Sequence, residues 1–400
     1  MKITAIICEY NPMTNGHVKH IESARAGTGC DTVLCVMSGS FVQRGDAAVA
    51  DKYVRASAAI PQGADIVVEL PTIYAISPAD NFAYGAIKTI SAFPNVEYIS
   101  FGSECGDIEL LSKIAYLLEN EPPEFKALIQ QNLKEGHCFP KARALSAEKY
   151  AETNPDYADI KSVLDEPNNV LGIAYISASM RAGLDIKFHT IKRIGNGYND
   201  NGTDNELLSS TAIRTAVRRG EIEKIKHKVP KSVYAYLLQM NKSDTSLSDM
   251  TLFKLKTMSG YDLENYYDVT GGIHNRLILS ARDATTIEGL LENAKTKNYT
   301  MARLKRICLY ALFDITKEMY QKAVDSPPYV QILALNSKRK DILSALSETC
   351  KNVLTRFSDV NRVDKSLRFM IKLDFTAQGT LDIINRTNYY IKKMLLIDRD

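Results

Sequence analysis

The sequence predicts an α/β protein in two parts: a first half built on a mostly parallel sheet with a helical insertion, then a mostly α-helical, basic second half. Three observations carry this. Short apolar runs alternate with helical patterns through the first 210 residues, the signature of a parallel sheet with helices on its faces. From Ala212 onward the periodicity is nearly all helical. Charge divides along the same line, with 18 Lys and Arg against 26 Asp and Glu in residues 1–210, and 32 against 21 in residues 211–400. The expected parts are residues 1–220, with the insertion at about 108–181, and residues 221–400.

In chain order, strands are expected at 3–8, 32–37, 66–70, 96–101 and 186–191, where Val, Ile and Tyr cluster between Gly, Pro or Asp residues. Helices are expected at 17–26, 51–60 and 78–92, the last with Ser77 as its cap and Pro78 at its first position. The insertion reads as helices, including 110–118 and 170–181. A Gly- and Asn-rich stretch, "GNGYNDNGTDN" at 195–205, suits a lid or binding loop better than a regular element. Helical pattern in the second half breaks near 243–248, at Gly271-Gly272 and at Pro327-Pro328.

Composition narrows the function classes. No apolar run approaches the roughly 20 residues that cross a bilayer, and the chain opens on a strand pattern instead of a leader, so a soluble cytoplasmic protein is expected, with no membrane partner. Seven cysteines, an odd number without a CxxC pair, argue against a disulfide framework and for small buried side chains. A charge surplus of roughly +11 in the second half fits either a solvated helical surface or a polyanionic partner.

Chemistry concentrates in "EYNPMTNGHVKH", residues 9–20, directly after the first strand. Pro12 keeps Asn11 out of the helix, Gly16 admits close approach of the backbone, and the helix that follows aims its free N–H groups at the turn. Such an end attracts anions. Thr14 and His17 add side-chain donors suited to phosphate oxygens. His20 reads as structural, and the spacing of the two histidines lacks the third ligand that a metal site requires. A second candidate is "SSTAIR", residues 209–214: Ser209, Ser210 and Thr211 are cap residues, and Arg214 lies one turn into the helix. By itself this is a cap followed by an arginine; opposite the first turn it is a triphosphate clamp.

"NPMTNGH" resembles the (H/T)xGH signature of the nucleotidyltransferase superfamily, and "SSTAIR" its SSTxIR motif. The resemblance implies a Rossmann-like domain that transfers nucleotidyl groups from a nucleoside triphosphate. "VMSGSFVQRGDAAVADKYVRA", "ADIVVELP", "FGSECGD", "PNNVLGIAY", "TIKRIG" and, more weakly, "KTKNYTMARLKRI" extend the likeness, in order and spacing, to the bacterial tRNA(Met) cytidine acetate ligase family. That likeness implies use of ATP and acetate to form acetyl-adenylate, then acetylation of N4 of the wobble cytidine of elongator tRNA(Met). Carried over, the ATP-binding segment falls on Ile7, Cys8, Glu9, Tyr10, Asn11, Pro12, Met13, Thr14, Asn15, Gly16, His17, Val18, Lys19 and His20, with further contacts from Gly102, Asn168, Arg193, Ile194, Ser210, Thr211 and Arg214. His17 and Thr14 are the expected catalytic pair. Many family members carry histidine where this chain has Thr14, which shifts the weight toward His17. Mg²⁺ is expected with the triphosphate, held largely by phosphate oxygens and water.

The basic half would supply the tRNA surface. Lys295, Lys297, Arg303, Lys305 and Arg306 crowd one segment with Tyr299 among them, and Lys338, Arg339 and Lys340 form a second cluster. Two rival readings share the same motifs: an adenylyl- or cytidylyltransferase for a small phosphorylated metabolite, and a non-catalytic RNA-binding protein.

Overall fold

Strands β1 (Ile3–Cys8), β2 (Thr32–Ser38), β3 (Ile66–Leu70), β4 (Val96–Ser103) and β5 (Lys187–Lys192) form the parallel part of one sheet in the computed structural model. The structure describes residues 1–137, 139–193, 207–239, 246–297, 299–387 and 393–399. All five expected strands are present, β1 and β3 with the expected bounds and the others shifted by one or two residues at their ends. Their order, β5-β4-β1-β2-β3, reverses direction between β1 and β4.

Alternate residues of these strands enter two cores. Ile3, Ala5, Leu34, Val36, Ile66 and Val68 face one layer, which includes the helices Ala79–Ile90, Pro167–Arg181 and Met301–Leu312. Ile6, Val33, Cys35, Met37 and Val67 face the other, with the helices Asn15–Thr28, Lys52–Ala59 and Ser210–Arg218. Covered on both faces, β2 and β3 are buried along their whole length, which is why they read as nearly continuous apolar runs.

Two expectations need amendment. Ser77 does not cap the helix Ala79–Ile90: its hydroxyl donates back to Ile73 O at 2.7 Å, and Pro78 occupies the cap position. The second half also contains strands, β6 (Val330–Asn336), β7 (Val353–Leu354) and β8 (Leu395–Ile397). β6 pairs antiparallel with β3, and β7 and β8 pair with β6, so the sheet takes strands from both halves of the chain. Among the described residues Cys30, Cys35, Cys308 and Cys350 are buried free thiols, as their small size favours; Cys138 lies outside the described residues.

Candidate functional site

The reversal of strand order opens a crevice beyond the carboxyl ends of β1 and β4, the place where open α/β sheets bind ligands. A cleft of about 210 Å³ lies there. Its walls carry Ile7, Cys8, Glu9, Tyr10 and Asn11 from the end of β1, His17 and His20 from the following helix, and Gly102 from β4. Asn168, Arg193, Ser210 and Arg214 line it as well, together with Gln43, Arg44, Phe82, Phe101, Leu171 and Tyr175, whereas the expected Pro12, Met13, Thr14, Asn15, Gly16, Val18, Lys19 and Thr211 are not among the residues of its wall.

The two distant motifs bind each other directly. Arg214 donates through Nη1 to Asn11 O at 2.6 Å and through Nη2 to Thr211 Oγ1 at 3.0 Å, and Ser210 Oγ donates to Pro12 O at 2.9 Å. Ser209 accepts from Ala212 N–H at 3.1 Å and starts the helix, so it serves as the cap while the next residues reach the turn. A helix cap and a contact to the first turn are therefore both present in one hexapeptide.

Thr14 is the N-cap of the helix Asn15–Thr28. Its backbone N–H donates to His17 Nδ1 at 2.9 Å, and its hydroxyl lies 3.1 Å from the same nitrogen. Since a backbone N–H only donates, Nδ1 is the acceptor and the neutral imidazole keeps its proton on Nε2. Burial, then the charges of Arg193 and His20, hold His17 down to about 3, and burial, then His189 and Arg193, hold His20 down to about 4. Both rings are neutral near pH 7. His20 Nε2 lies 3.0 Å from the buried Ser100 Oγ, which lies 3.0 Å from His189 Nδ1, so His20 is tied to the strands beneath the cleft.

On the β4 side, Gly102 leaves room for Arg193: a Cβ there would stand 3.2 Å from Arg193 Cγ. Asn168 opens the helix Pro167–Arg181, with its Nδ2 donating to Glu104 at 2.5 Å while Glu104 also accepts the Asn169 N–H at 2.9 Å. Glu104 thus caps this helix from another element. Of the remaining ATP-segment residues, Met13 is buried in the core below the turn, Val18 packs against that core, Asn15 donates to His227 O at 2.9 Å, and Lys19 is exposed. Ile194 and the 195–205 stretch lie outside the described residues.

Arg55, which lies inside the family-like 36–56 segment, was not singled out by the sequence reading. It is fully buried and donates to Ala50 O at 2.9 Å, Glu9 O at 2.6 Å, Ser38 O at 3.1 Å and Gly39 O, stapling the ends of β1 and β2 beneath the cleft. Only its place after the "ADKY" helix start hinted at an inward-facing position.

The basic segment lies against the cleft wall. Lys305 Nζ reaches Asp46 at 2.7 Å, Arg306 Nη1 donates to Gln43 O at 3.4 Å, and a Cβ on Gly45 would come within 2.7 Å of Lys305 Cβ. Arg303 pairs with Asp268 at 3.3 Å. Lys295 and Lys297 are exposed, whereas the Tyr299 hydroxyl donates to Gly271 O at 2.5 Å. In the second cluster Arg339 pairs with Asp341 at 3.0 Å, while Lys338 and Lys340 are exposed.

Residues 1–394 match the family model described as HIGH Nucleotidyl Transferase. The tRNA(Met) cytidine acetate ligase of Clostridium perfringens is 38% identical over 379 residues, spanning 93% of this chain and 94% of that protein. Its counterpart in Thermotoga maritima is 33% identical over 393 residues, spanning 96% and 93%. The apo crystal structure of Thermotoga maritima TmcAL (form I) matches with a TM-score of 0.92 and 31% identity, and the form bound with alpha-thio ATP with 0.91 and 29%, each covering 99% of this chain and 100% of that one. Whole-length likeness joins a cleft at which the 9–20 turn and the 209–214 segment meet, and the chain belongs to the tRNA(Met) cytidine acetate ligase family of HIGH nucleotidyl transferases.

Proposed function

We infer that this protein is an ATP-dependent tRNA-modifying ligase that activates acetate as acetyl-AMP and acetylates N4 of the wobble cytidine of elongator tRNA(Met). The observation that carries the reading is the direct contact between the two phosphate motifs, Arg214 on Asn11 O and Ser210 on Pro12 O, at the sheet's switch point. A carboxylate oxygen of acetate attacks the α-phosphorus of ATP and pyrophosphate leaves with the electrons of the broken P–O bond. The cytidine amine then attacks the acetyl carbonyl and AMP leaves. No covalent intermediate on the protein is needed, so the work is positioning and charge stabilisation.

In this reading His17 Nε2–H and the Thr14 hydroxyl stabilise the phosphoryl oxygens, Arg214 holds the triphosphate over the β1 turn, and Gly102, Asn168 and Arg193 receive the nucleoside side. Among the described residues no cluster of three or more His, Cys, Asp or Glu is placed to hold a metal. Mg²⁺ would therefore arrive with the triphosphate, coordinated by phosphate oxygens and water. We assign ATP chemistry to residues 1–220 and tRNA binding to 221–400, with Lys295 and Lys297 as exposed phosphate contacts. Arg303, Lys305 and Arg306 would link that surface to the cleft wall. A tRNA substrate puts the reaction in the cytoplasm; among the described residues no helix is long and apolar enough to cross a membrane.

The test is incubation with ATP, labelled acetate and bulk tRNA, followed by nucleoside mass spectrometry. Label in N4-acetylcytidine is the expected result. Pyrophosphate release that depends on a sugar phosphate or phospho-cofactor, with unlabelled tRNA, would replace this reading by a metabolite nucleotidyltransferase.

A further inference from the structure

An anion-binding cleft has little use for a carboxylate, yet one lines this cleft. Glu9 stands at the end of β1, and among the described residues it is the only Asp or Glu in the cleft wall. Its Oε1 accepts the Gln43 N–H at 2.9 Å, which turns the carboxylate toward the side of the cleft formed by Gln43 and Arg44. That side lies beyond β2, away from the Gly102 and Arg193 end. If ATP fills the latter, the acceptor must enter past Glu9.

Acetyl transfer to an aromatic amine requires a base. As N4 bonds to the acetyl carbon, nitrogen becomes cationic and must lose a proton before the acetamide is stable. The other candidates are unsuited to receive it. His17 spends Nδ1 on the Thr14 N–H and presents a protonated Nε2. His20 is bound to Ser100. Burial raises Cys8, Tyr10 and Tyr175, so these keep their own protons. Arginines accept none.

We propose that Glu9 takes the proton from the N4 amine of the target cytidine as that nitrogen attacks the acetyl carbonyl. The step rests on the acetate-ligase reading above. It balances as follows: the N4–C bond forms, the C–O bond to the AMP phosphate breaks, its electron pair leaves with AMP, and the N4 proton passes to a Glu9 oxygen and then to solvent. Charged and titratable groups around Glu9 are Arg44, Arg214 and Arg55, with the phenol of Tyr175. Burial raises the proton affinity of Glu9 above that of an ordinary glutamate, against the opposing pull of the Gln43 N–H and of these three cations. A proton acceptor working near neutral pH gains from such a balance.

The experiment separates the two half-reactions in the full-length protein. Acetate-dependent ATP–pyrophosphate exchange reads activation; single-turnover transfer from preformed acetyl-adenylate to purified elongator tRNA(Met) reads the second step. Glu9→Gln keeps an oxygen for the Gln43 N–H but cannot accept the proton. The ratio of transfer to exchange should fall about 100-fold or more, the usual reach of general-base catalysis, and the remaining transfer should lose its rise with pH. Glu9→Asp should recover part of the transfer. Transfer that is unchanged in Glu9→Gln, or that falls in step with exchange, overturns the proposal, the second outcome marking Glu9 as a group for shape or ATP only. Absence of acetate-dependent exchange in the unsubstituted protein overturns the acetyl-adenylate reading itself and is recognisable before any variant is made.

Discussion

The turn has already taken the acceptor of His17, which leaves its ring only a donor to offer in the proposed chemistry. With Nδ1 held by the Thr14 N–H at 2.9 Å, Nε2–H is the free end of the ring, and preorganised donors of this kind are typically worth 10²- to 10³-fold in rate. His17→Ala should therefore lower acetate-dependent pyrophosphate exchange about 100-fold or more, with the far-UV circular dichroism and melting transition retained; near-normal exchange would remove His17 from the chemistry. The same rings set an acid limit on stability. Folded His17 and His20 titrate at about 3 and about 4, against an ordinary 6.5. As pH falls through 6.5 the unfolded chain binds protons that the folded rings refuse, so stability is undiminished above that value and withdrawn progressively toward pH 4. Urea midpoints should drop between pH 7.5 and 5, and the drop should shrink in a His20→Asn variant. A drop of equal size in both proteins would place the acid sensitivity elsewhere.

Gln43, Arg44 and Gly45 form the turn at which the basic segment around Lys305 and Arg306 meets the cleft wall. Gly45 has φ +80°, and an added Cβ would meet the Lys305 side chain and the Arg306 backbone at 2.7 and 2.8 Å. Gly45→Ala should cost about 2 kcal/mol from the left-handed backbone alone, and the displaced turn should weaken exchange and transfer together, checked by chemical denaturation beside both assays. Nothing in the sequence joined these elements, because Lys305 and its partner Asp46 are 259 positions apart. Strands β1 to β5 were legible because each apolar run is short and bounded by turn residues, and both phosphate motifs were legible because cap residues, glycine and cations crowd strand-to-helix junctions. β6 was not: "VQILALN" is apolar throughout, a pattern shared by buried strands and helices. Arg55 was equally hidden, since a cation that satisfies backbone carbonyls looks like any surface arginine until the strand ends are brought together.

At the scale of the whole molecule the sheet ties the halves into one structure. β6 covers the edge of β3, Asp374 accepts the Thr72 N–H at 2.7 Å, and Ser40 donates to Gln378 at 2.9 Å. A chain ending at residue 220 would expose that edge and leave these buried groups unpaired, so it should aggregate or melt without cooperativity; a monomeric fragment with a sharp transition would contradict this. The charge asymmetry then acts on a molecule in which the basic segment packs directly against the cleft wall. Arg303, Lys305 and Arg306 are paired with Asp268 and Asp46, and a cation already neutralised within the chain releases few counterions on binding. Lys295 and Lys297 are exposed and stand outside these pairs. Affinity for tRNA should fall steeply with salt, and replacing both lysines by alanine should lower the slope of log K against log salt by roughly 1 to 2 units. Lys305→Ala should change that slope little and instead depress exchange, because its tie to Asp46 holds the cleft turn. Binding that ignores salt, or a slope equally sensitive to Lys305, would place the tRNA on another face.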